Sequence, residues 1–383
     1  MICIRKSTIR LTWIFLLLGV LLFFGCENKD DSVRIGFFGP LTGPTAQAGQ
    51  ALRNGALIAV DEINAQGGLL GKAVELIEQD DRSSPEQAVK SVIRLIHLSD
   101  VTAIVGSLHS GNILAAAPVM EQARTPMVGA GTSPTWLEKG YTYLFRAVGN
   151  SELSVRELAG YAKEAGIKKV SVIQSNDEYG MVGGRLFVEY ARRAGIEISA
   201  NESFAHGDRD FTGQFVKMLR VEPDAVFIWA LGDDLGALTK QLRQAGYDGP
   251  VLGAEGYTLP QVLEIAGKSA NNVIFPAQYL VPEKPEDADD PMMRSFLTRY
   301  FERYGEMPVS DNAYRGYDAV RIISEAITRA NTLETEKVRQ ALSNIEGFEG
   351  LAGRFTFKGF EGEGIHEMRF FRIADGKYVE IKQ

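Results

Sequence analysis

Short apolar runs alternate with stretches of helical periodicity along nearly the whole chain, and this alternation decides the fold class. Residues 33–38 (Val-Arg-Ile-Gly-Phe-Phe) read as a buried strand, followed by a Gly/Pro turn. A helix is predicted over 47–66, where Ala48, Leu52, Ala56, Ala59, Val60 and Ile63 recur at helical spacing and Gly67-Gly68 stops it. A strand over 73–78 follows, then a helix with Pro85 in its first turn and Val89, Val92, Ile93 and Ile96 on one face. A strand over 102–105, a helix from about Asn112, and strands over 126–130 and 143–148 complete a first block. Short strands joined by helices predict an α/β fold, a doubly wound parallel sheet covered on both faces.

The same grammar restarts at Glu152. Helices over 152–165, 181–194, 211–220 and 234–245 alternate with strands over 170–174, 196–204, 225–231, 251–254 and 273–279. The acidic stretch 282–290, with prolines at 282 and 285, reads as a surface loop. Helices near 291–304, 311–330 and 335–344 come next, then strand-like 353–357, 367–373 and 378–381. These last elements are too few for a third domain and are expected to complete the first two. The predicted architecture is therefore two doubly wound parallel-sheet lobes joined by a multi-strand hinge. Lobe 1 is expected to take 33–149 plus 276–362, and lobe 2 to take 150–275 plus 363–383. A chain of 383 residues, 45% apolar and 23% charged, suits two such cores.

The first 32 residues read as an address. Arg5, Lys6 and Arg10 precede an apolar run over 11–24, too short for a span of about 20 residues. It ends Leu22-Phe23-Phe24-Gly25-Cys26, which resembles the lipobox of bacterial lipoproteins, with Phe23 where leucine is usual. On that reading 1–25 is a signal peptide, Cys26 is lipidated, and 26–32 is a polar leash; a plain signal peptide or a transmembrane anchor are the alternatives. Several acyl chains on one residue hold a membrane stably.

Composition excludes several functions. The net charge of −8 argues against nucleic acid as a partner. Both cysteines, Cys3 and Cys26, precede the body, so disulfides, thiol nucleophiles and Cys-ligated zinc are excluded from it. The four histidines (His97, His109, His206, His366) show no metal-motif spacing. There is no G-x-S-x-G elbow and no phosphate loop. In the first strand–helix turn, Pro40 and Pro44 remove backbone donors where a dinucleotide would need them. No catalytic residue, cofactor or metal is expected.

The candidate binding residues follow strands, where open α/β sheets take ligands. Gly106-Ser107-Leu108-His109-Ser110-Gly111-Asn112 leads into a helix whose amino terminus could take a carboxylate; alternatively Ser110 or Asn112 merely caps that helix. Gly129-Ala130-Gly131-Thr132-Ser133-Pro134 forms a second glycine-rich edge, or an ordinary turn. Glu255 stands where the strand over 251–254 stops and could accept a ligand ammonium; capping or a salt bridge would also explain it. Tyr179 follows another strand as a cleft wall or a hinge-packing residue. Trp229 and Leu231 end the strand over 225–231, as core or as cleft lining.

Taken together, Val33-Arg34-Ile35-Gly36, Gly39-Pro40-Leu41-Thr42-Gly43-Pro44, Asp61-Glu62-Ile63-Asn64-Ala65-Gln66-Gly67-Gly68, Asp80-Asp81, Asp177-Glu178-Tyr179-Gly180, Asp210-Phe211-Thr212 and Tyr314-Arg315-Gly316-Tyr317-Asp318-Ala319 carry a resemblance over nearly all of 33–383. The chain resembles the branched-chain amino-acid-binding proteins of ABC importers, with the type I periplasmic-binding fold. The resemblance implies a monomeric extracytoplasmic receptor that closes on an amino acid and docks on a membrane permease. By matching position, Ser110, Ala130 and Thr132 would hold the ligand's charged groups, Glu255 its ammonium, and Tyr179 would close over it. Ala48 and Leu231 stand where relatives often carry aromatic residues, which would enlarge the apolar pocket or change the ligand. A sensor of the same build for amides or other small acids, reporting to a membrane partner, is the alternative.

Overall fold

The structure, a computed structural model, describes residues 32–381, so the signal peptide and Cys26 lie outside the described residues. The first block contains β1 (Val33–Gly39), α1 (Ala46–Ala65), β2 (Val74–Asp80), α2 (Pro85–His97), β3 (Ala103–Gly106), α3 (Ser110–Ala123), β4 (Met127–Gly129), the single-turn α4 (Thr135–Glu138) and β5 (Leu144–Arg146). Its strands form one parallel sheet in the order β2-β1-β3-β4-β5. Alternation along β1 sends Val33, Ile35 and Phe37 to one face and Phe38 to the other. The first face packs on Leu52, Ala56 and Ile323; the second packs on Val92, Leu95 and Ile113.

The second block runs α5 (Ser151–Glu164), β6 (Lys169–Ser175), α6 (Glu178–Arg193), β7 (Glu197–Phe204), α7 (Thr212–Leu219), β8 (Ala225–Trp229), α8 (Asp233–Gln244), β9 (Val251–Gly253), α9 (Pro260–Ala266) and β10 (Val273–Ala277). Side-chain caps start two of these helices: Asn150 accepts from Leu153 N, and Asp177 accepts from Gly180 N. The parallel strands β7-β6-β8-β9-β10 repeat the order of the first sheet.

After β10 come α10 (Pro291–Tyr304), α11 (Asn312–Ala330) and α12 (Thr335–Ser343), which cover the first sheet. They are followed by β11 (Phe348–Gly350), β12 (Gly353–Phe355), β13 (Arg369–Ala374) and β14 (Lys377–Ile381). The chain thus passes between the lobes three times, after β5, after β10 and between β12 and β13. Neighbouring crossings touch: Arg146 bridges Glu363, and Gly149 N donates to Gln278 Oε1.

The observed strands depart from the expected ones in two ways. The second sheet is mixed, because β13 lies antiparallel to β10 and β14 antiparallel to β13. The stretch expected as a strand over 353–357 instead pairs locally with β11 as a small hairpin outside both sheets. Helix α9 was not expected, although Pro260 sits in its first turn, where proline is favoured. Among the described residues, no helix is long and apolar enough to cross a membrane.

The closest packing joins α1 to α11. A Cβ on Gly55 would fall 1.7 Å from Ala313 O, and one on Gly316 would fall 1.9 Å from Leu52 O. Neither contact can yield without moving a backbone, so these glycines set the distance between the helices. Gly316→Ala is expected to lower unfolding stability by about 1–3 kcal/mol, the usual cost of overpacking. Urea denaturation would measure it, and an unchanged midpoint would refute the close approach.

Candidate functional site

The order 2-1-3-4-5 occurs in both sheets, and its switch point lies between the first and third strands, where connections leave in opposite directions. In the first lobe that point is edged by the turns after β1 and β3; in the second, by the turns after β6 and β8. The two switch points face each other. Thr45 and Leu108 from one, and Tyr179 and Leu231 from the other, line one cavity of about 40 Å³. At its edge Gly232 has φ +56°, a conformation glycine adopts without strain.

The loop after β4 supplies the first lobe's polar wall. Ser110 is buried, and its Oγ accepts from Ser133 N at 3.0 Å, which ties the loop to the start of α3. Neither Ser110 nor Asn112 caps that helix, because His109 occupies the cap position and makes no side-chain cap bond. Ala130 donates to Ser107 O at 3.3 Å, and its own carbonyl accepts from Arg315 Nη1 at 3.3 Å. Thr132 lines the cavity; its Oγ1 accepts from Ser151 Oγ at 3.1 Å. Beneath the loop lies Arg146, fully buried, with its guanidinium 4.1 Å from the Trp136 ring centroid. It donates to the carbonyls of Gly131 and Ser133 and to Glu363 Oε2.

From the second lobe, Glu255 heads a short 3-10 turn after β9. Thr132 Oγ1 donates to Glu255 Oε1 at 3.0 Å and Tyr179 OH donates to Glu255 Oε2 at 2.9 Å. One carboxylate is therefore gripped from both lobes. Burial, reinforced by the Glu255 charge, pushes the Tyr179 phenol well above its ordinary pKa, so it stays a donor. Ser133 Oγ donates to Glu178 Oε1 at 2.7 Å, a second bond between the lobes.

Of the expected residues, Thr132, Tyr179, Leu231 and Glu255 line the cavity. Ser110 and Ala130 stand behind that lining, holding its loop. Trp229 is not a cleft residue: it is fully buried behind Tyr179, with ring centroids 5.5 Å apart, and stacks on Phe227. The core reading of this side chain is the one realised, because the chain stays buried through Ala230 and first reaches the cavity at Leu231. Sequence reading missed Asp311, Asn312 and Arg315 at the start of α11, which also line the cavity. The available signal was an Asp–Arg pair at i,i+4 among aromatic core positions. His109, named only for its place near the loop, binds Thr45 Oγ1 through Nε2 at 2.7 Å; burial lowers its pKa to about 4, leaving it neutral. Among the described residues, no group of three or more His, Cys, Asp or Glu could hold a metal ion.

Two like-wound lobes whose switch-point loops meet over one shared cavity define the class of bilobed binding proteins. A profile of the periplasmic binding protein family matches residues 32–377, and the chain belongs to that family. It is similar to the leucine-, isoleucine-, valine-, threonine- and alanine-binding protein of Pseudomonas aeruginosa, with 27% identity over 356 residues, 92% of this chain and 93% of the relative. A leucine-binding protein from Thermotoga maritima superposes with a TM-score of 0.83 and 27% identity, covering 91% of this chain and 98% of that one. A branched-chain amino-acid transporter substrate-binding protein from Streptococcus pneumoniae, solved with isoleucine, gives 0.79 at 27% identity, covering 91% and 100%. The resemblance read from the motifs thus holds. The chain is a binding protein rather than an enzyme, and its family implies an extracytoplasmic location.

Arg146 is the brace of the Thr132 loop, and its loss leaves two carbonyls and Glu363 without their donor. Arg146→Met is expected to cost about 3–5 kcal/mol of stability and to speed amide exchange over 130–134. A loss below about 1 kcal/mol, with exchange in the loop unchanged, would remove Arg146 from this role.

Proposed function

We propose that the protein captures an amino acid between its lobes and, as a monomer, delivers it to the permease of an ABC importer. The ligand's carboxylate lies against the Thr132 loop that Ser110 and Ala130 hold in place, and its ammonium against Glu255 beneath Tyr179. The observation that carries this reading is the Glu255 carboxylate held by Thr132 of one lobe and Tyr179 of the other. A carboxylate has about four acceptor positions, so an ammonium can join these two donors. The cavity is lined from both lobes, so the ligand enters when the lobes part. The names of the relatives, which bind leucine, isoleucine, valine, threonine and alanine, support the ligand class.

A panel of amino acids in thermal shift and calorimetry tests the reading, because a true ligand raises the midpoint with dose. Glu255→Ala is expected to weaken α-amino acids by about 10- to 100-fold, the worth of a charge-assisted hydrogen bond, and to spare the matching α-hydroxy acids. Equal loss for both ligand classes would refute the ammonium role.

The body is held at the membrane through lipidated Cys26. Cys26→Ser is expected to move the protein from the membrane fraction to the soluble extract. A variant that still sediments with membranes would overturn the lipid anchor.

A further inference from the structure

The cavity has a second polar pole that the amino and carboxyl groups of an amino acid leave unused. It is built where α11 begins. Arg315 is 6% exposed; Nη1 reaches Ala130 O and Nη2 pairs with Asp311 Oδ2, but its buried Nε–H has no acceptor. Asn312 is 8% exposed; Nδ2 donates to Ser310 Oγ at 3.1 Å, and its buried Oδ1 has no donor. Both residues line the cavity that holds Glu255 and Thr132. Each such orphan costs about 1–3 kcal/mol when buried, so a donor and an acceptor three residues apart on one helix call for a partner.

The charges restrict what that partner is. Asp311 already balances Arg315, and its other oxygen accepts from Thr258 Oγ1 at 3.4 Å. A ligand carboxylate here would meet Asp311 and the Asn312 carbonyl oxygen; a ligand ammonium would meet the guanidinium. A neutral group with one acceptor and one donor satisfies both orphans. A primary amide does so with its carbonyl on Arg315 Nε–H and its N–H on Asn312 Oδ1; a hydroxyl does so with one oxygen. The aliphatic part of the lining, Ala48, Leu108, Leu231 and Leu259, suits the stem of such a side chain.

We infer that Arg315 and Asn312 form a third anchor, which reads a neutral hydrogen-bonding group on the ligand's side chain. The ligand is then an amide- or hydroxyl-bearing amino acid rather than a wholly apolar one. This inference rests on the amino-acid reading above and deepens it.

Calorimetry with isosteric pairs, asparagine against leucine and threonine against valine, with glutamine against methionine for a longer stem, tests it on the mature protein. The polar member of at least one pair is expected to bind tighter by about tenfold or more, because a site built for a hydrogen bond rejects the analogue lacking it. In Asn312→Leu that preference is expected to fall by about tenfold. Arg315→Lys, which keeps a cation opposite Asp311 but lacks Nε, is expected to lower it as well and guards against a fault specific to the first variant. Apolar members binding as well as or better than their polar partners would overturn the third anchor and leave the amino-acid reading standing. A polar preference that survives both substitutions would also overturn it. No binding by any amino acid would overturn both.

Discussion

Polar groups carried into the space between two lobes must find partners there, and Glu255 is where this requirement is met from both sides. Its carboxylate stands on a turn after β9 and takes hydroxyl donors from Thr132 in the first lobe and Tyr179 in the second. Left unpaired in a closed space, it would cost several kcal/mol. The surrounding structure serves to deliver those donors. Arg146 fixes the loop that carries Thr132, and the Tyr179–Trp229–Phe227 stack fixes the ring that carries the phenol.

That arrangement follows from the topology. A strand order of 2-1-3-4-5 opens a crevice at the switch point, and the same order in both lobes gives each a crevice edged by the same kind of turn. The strands that precede those turns are buried on both faces, so the chain's polar and flexible residues collect at their carboxyl ends. Three passages between lobes, in contact through Arg146–Glu363 and Gly149–Gln278, restrict relative motion to bending about one region.

The same physics explains what could be read from the sequence. Alternation in 33–38 and helical spacing from Ala48 to Ile63 are local patterns, and both elements form where they predict. Thr132, Tyr179 and Glu255 were legible because they directly follow strands, where a single rule of α/β sheets applies. Pairing direction is non-local, so nothing within 367–381 announced that β13 would run antiparallel to β10. Arg315 was hidden for a different reason. It sits at a position of α11 that otherwise reads as core, between Tyr314 and Tyr317, and only the fold reveals that this face of the helix reaches the cavity. Trp229 shows the converse, a strand-end residue two positions short of Leu231, where the chain leaves the core.

Among the described residues the side-chain bonds across the cleft include Thr132–Glu255, Ser133–Glu178 and the longer Thr258–Asp311, with Ser151–Thr132 beside the first crossing. Each replaces a hydrogen bond to water, so each contributes a net of only about 0.5–1.5 kcal/mol, or up to about 3 where a carboxylate accepts. Their sum is of the same order as the entropy lost in fixing the hinge and the side chains that make them. Closure by these bonds alone is therefore near balance, and a small differential interaction decides it. A molecule that adds contacts only when the lobes meet, at Glu255 and at the Arg315–Asn312 pole, supplies that difference. Placing unpaired donors and acceptors in the cavity, rather than more bonds across the rim, makes closure depend on what is bound.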